Sequence, residues 1–163
     1  MYAIWLVPDE KDTVYLKRII ENLSAEFNSP KFVPHITIFG IFDQNIKKIE
    51  KEIEKAVKGI SPFKIKKSNI GHSDNIWKTL YLEVIMNKEI ENIHNRLNHS
   101  FKIEEKEKFF PHISLLYKKI NEKNRIKIQK QLKVKNEFLI EKIIILKFSN
   151  KISEWKIVKS RNL

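Results

Sequence analysis

Two short segments carry the residues best suited to chemistry. Lys31-Phe32-Val33-Pro34-His35-Ile36-Thr37 and Lys108-Phe109-Phe110-Pro111-His112-Ile113-Ser114 agree at five of seven positions, and Thr against Ser preserves the hydroxyl. The histidines stand 77 residues apart in a chain of 163. Each segment is β-rich and begins at a proline, where a strand tolerates one. Residues i and i+2 of a strand share a face, roughly 6–7 Å apart. His35 and Thr37 therefore point one way, as do His112 and Ser114. Ile36, Ile38, Ile113 and Leu115 point the other way, toward a core. A lone copy would be an ordinary strand with a hydrogen-bonded histidine. Two copies facing each other would put two imidazoles and two hydroxyls in one cleft. Imidazole titrates near pH ~6.5, so one ring can accept a proton while the other donates one. Hydroxyls can donate to the non-bridging oxygens of a phosphate. That set suits the opening of a cyclic phosphate by water, with no metal and no cofactor.

The elements that must position these residues repeat as well. Tyr2 to Val7 reads as an apolar strand, and Asp12 to Phe27 as a helix through Leu16, Ile19, Ile20 and Leu23, with Asp12 as its N-cap. The motif strand runs from Phe32 to Phe39, an amphipathic helix from Gln44 to Lys58, and a strand from Phe63 to Ile70. The second half follows in the same order: strand Trp77 to Ile85, helix Lys88 to Phe101, strand Phe110 to Tyr117, helix Asn121 to Leu132, strand Phe138 to Phe148. A short strand from Trp155 to Val158 closes the chain. The expectation is an α+β fold: a bilobal, pseudo-twofold duplication of strand-helix-strand-helix-strand. Antiparallel-rich sheets would flank a central cleft, with the helices outside. Residues 1–163 form one domain in this reading, with repeat halves at about 1–73 and 76–163 joined by the turn-rich Gly71-His72-Ser73-Asp74-Asn75.

Composition narrows the chemistry. There are no cysteines, which excludes disulfides, thiol nucleophiles and cysteine-based metal sites. The net charge of +12 attracts phosphates, though Lys-, Ile- and Asn-rich coding would produce it too. The apolar run at Tyr2–Val7 is too short for a signal core or a membrane span, so a cytoplasmic location and no membrane partner are expected. No Walker loop, dinucleotide fingerprint or carboxylate metal cluster is present.

With His35-Ile36-Thr37-Ile38 and His112-Ile113-Ser114-Leu115, the sequence resembles the 2H phosphoesterase superfamily, named for two His-x-Thr/Ser-x motifs. Tyr2-Ala3-Ile4-Trp5-Leu6-Val7-Pro8 is similar to the opening strand of its cyclic phosphodiesterase branch, and Pro111 to Tyr117 to that branch's second motif. RNA 2′,3′-cyclic phosphodiesterases, formerly known as 2′-5′ RNA ligases, are a further branch. The resemblance implies catalysis by His35, His112, Thr37 and Ser114, and substrate binding by Tyr117, with Trp5 a cleft-lining candidate. It implies action on a cyclic nucleotide, an RNA 3′ end or ADP-ribose 1″,2″-cyclic phosphate, and a 2′-phosphate as product; a monomer is expected. Alternatives are a non-catalytic nucleotide- or RNA-binding module of the same fold, and RNA 2′-5′ end processing or ligation.

The remaining candidates have blander readings. His94 and His99 are five apart on a helix, against the i, i+4 spacing of a metal pair, and are expected at the surface. His72 is expected in an exposed turn. Lys64, Lys66 and Lys67 read as a solvated strand edge. Lys47-Lys48 and Lys118-Lys119 read as solvated helix starts, and Glu104-Glu105-Lys106-Glu107-Lys108 as a solvated loop.

Overall fold

The computed structural model describes residues 1–102 and 108–163. In chain order they form β1 (Tyr2–Pro8), α1 (Glu10–Phe27), β2 (Ile36–Phe42), α2 (Ile46–Ala56), β3 (Phe63–His72), β4 (Leu80–Val84), α3 (Lys88–Phe101), β5 (His112–Leu116), α4 (Glu122–Gln131), β6 (Glu137–Lys147) and β7 (Lys156–Asn162). Short 3₁₀ turns lie at Ile76–Lys78 and Ile152–Glu154. Each of the four helices starts from an Asp or Asn whose side chain accepts an orphan backbone N–H: Asp9, Asn45, Asn87 and Asn121.

All strand pairs are antiparallel, and the order β1-β2-β5-β4-β3-β6 closes through a β1–β6 pairing, with β7 added along β6. The third strand of each repeat is exchanged. β3, from the first copy, pairs with β4 of the second; β6, from the second, pairs with β1 of the first. β6 serves both lobes, since its start, from Glu137 to Ile140, pairs with β3 and the remainder with β1. The lobes therefore read β2-β1-β6 and β5-β4-β3, and the two motif strands meet at a single register pair, Ile36 opposite Ile113. The helices cross over too: α1 packs on β5 and α3 on β2. Ile36, Ile38, Ile113 and Leu115 are all fully buried, as the i, i+2 alternation requires.

Several expectations are corrected. Trp77 lies in a 3₁₀ turn, and β4 begins only at Leu80. Asp9, not Asp12, caps α1; Asp12 is buried, pairs with Lys135 and accepts the Leu139 N–H at 2.7 Å. Phe63 to Lys66 of β3 pair with β6 and Lys67 to His72 with β4; Lys64 and Lys66 are exposed, and both ion-pair with Glu137, at 3.4 and 3.6 Å. Lys118 and Lys119 precede α4 rather than start it. His72 is half-buried at the end of β3, whereas His99 is exposed. His94 is buried, not superficial: its Nδ1 meets the Ile38 carbonyl at 2.9 Å and its ring stacks on Phe109 at 3.8 Å. The loop reading for Glu104–Lys108 falls outside the described residues except at Lys108, which is exposed.

Candidate active site

The prolines of the two motifs do more than start strands. A residue before proline is held extended, and proline itself offers no N–H. In both copies the carbonyl of the pre-proline residue meets the imidazole two positions on: His35 Nδ1 lies 2.6 Å from the Val33 oxygen, and His112 Nδ1 lies 2.8 Å from the Phe110 oxygen. A carbonyl only accepts, so Nδ1 carries the proton in both rings. Nε2 is left as the working atom of each.

Both rings line one cavity of about 310 Å³, together with Thr37 and Ser114. That volume is in the range of small-molecule sites. Larger surface grooves exist, such as one of about 400 Å³ between α2 and β7, but that one is lined by Lys, Glu, Arg and Ile and holds no histidine. The strand register explains the convergence. Thr37 sits opposite Trp5 on β1, and Ser114 opposite Tyr81 on β4, so each motif face is backed by its own lobe's first strand.

The two copies differ in surroundings. His35 is only 5% exposed and its ring lies flat on Trp5, centroids 3.4 Å apart and 8° from parallel. Burial holds its pKa far below the ordinary value, at about 3, with the charge of His112 pushing the same way and the Val33 hydrogen bond opposing. His112 is half-exposed, with Phe110 roughly parallel at 5.8 Å and the Tyr81 ring edge-on at 5.5 Å. Its pKa is also lowered, first by burial and further by the charge of Lys78, against the Phe110 hydrogen bond. Gly71 permits the Tyr81 contact, because a Cβ there would overlap the Tyr81 ring.

The hydroxyls differ as well. Ser114 Oγ donates to the Trp77 carbonyl at 2.8 Å, and a hydrogen bond joins the Ser114 and Tyr117 hydroxyls. Among the described residues, the half-buried Thr37 hydroxyl has no hydrogen-bond partner. Burial pushes the Tyr117 phenol well above its usual value, against the Ser114 hydrogen bond, so it stays protonated.

Of the sequence-selected residues, His35, Thr37, His112, Ser114, Tyr117 and Trp5 all border this cavity. Tyr117 has one face against Phe32 at 3.9 Å, and Trp5 is 3% exposed with its face on His35. Sequence reasoning missed Trp77, Lys78, Phe148 and Trp155, which also line the cavity. All three tryptophans of the chain thus converge here. Trp155 meets Trp5 edge-on at 5.3 Å and lies near-parallel to Trp77 at 6.0 Å. A signal was available: Trp77 and Trp155 are large aromatics set in otherwise polar, turn-rich stretches, where no core calls for them.

The profile of the cyclic phosphodiesterase-like protein family matches residues 1–163. The chain belongs to that family. It is a phosphodiesterase of the 2H phosphoesterase kind. A relative from Arabidopsis thaliana named cyclic phosphodiesterase is 24% identical over 131 residues, covering 80% of this chain and 72% of that protein. The fold matches Escherichia coli LigT complexed with 3′-AMP at a TM-score of 0.62 and 12% identity, covering 99% and 97% of the two chains. It matches the TT0787 protein of Thermus thermophilus at a TM-score of 0.63 and 12% identity, with the same coverage. At such identities these structures speak for the fold alone. None of the helices among the described residues is long and apolar enough to cross a membrane.

Proposed function

We propose that this member of the family hydrolyses a 2′,3′-cyclic phosphate to a 2′-phosphate, without a metal, using His35 as general base and His112 as general acid. The observation that carries the reading is the pair of imidazoles, each fixed by its own Nδ1–H, with both Nε2 atoms left for one cavity. Family membership and the relative named cyclic phosphodiesterase support a phosphodiester substrate.

The roles follow from the asymmetry. The ring with the more depressed pKa is the one that stays unprotonated, and that is His35. His35 Nε2 takes a proton from water while the water oxygen attacks phosphorus. The bond from phosphorus to O3′ breaks, and His112 Nε2–H gives its proton to that oxygen. Water has been added across one P–O bond, and the two rings have exchanged protonation states. Thr37 donates to a non-bridging oxygen as charge accumulates there. The nucleobase stacks against the aromatic wall of Trp77 and Trp155, with Tyr117 at its border. The wall accommodates a mononucleotide or a terminal nucleotide of RNA.

The test uses two substrates in EDTA. On 2′,3′-cyclic AMP, His35→Ala and His112→Ala each lower kcat/KM at least ~100-fold. On an aryl phosphodiester, whose leaving group needs no proton, His112→Ala recovers most of the rate and His35→Ala does not. Equal defects on both substrates would overturn the role assignment. Loss of wild-type activity in EDTA, restored by a divalent ion, would overturn the metal-free reading.

A further inference from the structure

The segment between β3 and β4 is built with more care than a simple connection needs. Ser73 Oγ donates to the Lys78 carbonyl at 2.7 Å, the Lys78 N–H donates to the Asn75 carbonyl at 2.9 Å, and the Trp77 N–H donates to Asn75 Oδ1 at 2.9 Å. Thr79 is buried, with its hydroxyl donating to the Asn75 carbonyl at 3.3 Å. At the outer end Asp74 pairs with Arg125 of α4, a buried guanidinium. At the inner end the Trp77 carbonyl takes the Ser114 hydroxyl. Such a network fixes the backbone of Lys78 at the cavity wall, next to the second motif.

Lys78 is the one lysine or arginine among the described residues lining that cavity, and the lining contains no carboxylate. Lys55, Lys64, Lys66, Lys135, Lys142, Lys151 and Lys159 each have an acidic partner. Among the described residues Lys78 has none, although it is half-buried. Its charge is felt at His112, where it opposes protonation. A cation without an acidic partner on the wall of a partly dry, aromatic cavity favours an anionic ligand there. The proposed reaction supplies one whose charge grows. A cyclic diester carries one negative charge, and the monoester formed from it carries between one and two near neutral pH.

We propose that Lys78 is a catalytic residue, its ammonium contacting a non-bridging phosphate oxygen from the His112 side and compensating the charge gained on ring opening. This rests on the cyclic-phosphate reading above, which Lys78 deepens by assigning the cation of the phosphate subsite. The same contact offsets the burden Lys78 places on His112, because a bound phosphate neutralises the lysine just when His112 must hold its proton. The other groups facing His112 are His35 across the cavity, Tyr81 edge-on, and Glu83, its register partner on β4.

The experiment compares wild type, Lys78→Met and Lys78→Arg in turnover of 2′,3′-cyclic AMP and in calorimetric binding of 2′-AMP and adenosine. Lys78→Met is expected to lower kcat/KM roughly 10- to 100-fold. It should weaken 2′-AMP binding several-fold more than adenosine binding, with Lys78→Arg keeping most of both and all three proteins melting alike. Turnover and 2′-AMP binding by Lys78→Met within about twofold of wild type would overturn the assignment, as would equal weakening of 2′-AMP and adenosine. If the wild type binds 2′-AMP through Lys78 but hydrolyses nothing, the phosphate contact of Lys78 stands, and its catalytic role falls with the hydrolase reading. If it does neither, both fall.

Discussion

The two motif copies share a backbone device and differ in what surrounds it. Both histidines are steered by the carbonyl of a pre-proline residue, at 2.6 and 2.8 Å. The first copy is dry: His35 is 5% exposed and flat against Trp5. The second is open on one side and lies beside Lys78. The hydroxyls are reversed, since the buried one belongs to the second copy, where Ser114 is committed to the Trp77 carbonyl. The two segments share a geometry, and their neighbours give each a different acidity and a different degree of freedom. In a symmetric pair either ring could take either role, whereas unequal burial fixes which one is left unprotonated.

The largest test of that difference is at the hydroxyls. Thr37 has no competing partner and Ser114 does. Thr37→Ala is expected to lower kcat on 2′,3′-cyclic AMP about 100-fold or more, the scale of one lost oxyanion donor. Ser114→Ala is expected to lower it about 10-fold, since its hydroxyl must first leave Trp77 before it can donate to phosphate. Steady-state kinetics of both variants decide the matter, and equal losses would mean that the two hydroxyls act as a symmetric pair.

A smaller effect is expected from the ring that keeps the first copy dry. Trp5→Leu removes the stacked face and admits water beside His35. The acid limb of the kcat/KM profile, set by a group at about 3 in the native protein, should move up toward the ordinary ~6.5 of histidine. The alkaline limb belongs to His112, which Trp5 does not cover, and should stay in place. A pH profile in which both limbs move together would show that the two rings share one environment.

Much of the site was legible because it lies on strands. The i, i+2 alternation put His35 with Thr37 and His112 with Ser114, and the fully buried Ile36, Ile38, Ile113 and Leu115 follow from the same rule. What escaped lies in turns. Trp77, Lys78 and Trp155 reach the cavity from 3₁₀ segments or their edges, where no periodicity says which way a side chain points. The strand exchange also escaped, because periodicity identifies a strand but not its partner: β3 has the same pattern whether it pairs within its own repeat or with β4. His94 was readable and misread. Ile90, Ile93, His94 and Leu97 fall at i, i+3, i+4 and i+7, the inward stripe of α3, and all four are buried.

The dry copy leaves one further trace, in stability rather than rate. In the unfolded chain His35 titrates near ~6.5. In the folded protein its pKa is lowered to about 3. Below pH ~6.5 the unfolded chain therefore binds a proton that the native protein refuses, and native stability falls with the pH. The contribution is fully present above about 6.5 and is lost progressively toward about 3, amounting to on the order of a few kcal/mol. His112 adds to the same slope with a smaller lever, since its pKa is also lowered. Urea midpoints measured at pH 7 and pH 4.5 should fall steeply in the wild type, less in His35→Gln, and nearly as steeply as wild type in His112→Gln. If the two variants flattened the slope equally, the burial difference between the copies would carry no energetic weight, and the choice of His35 as base would lose its physical ground.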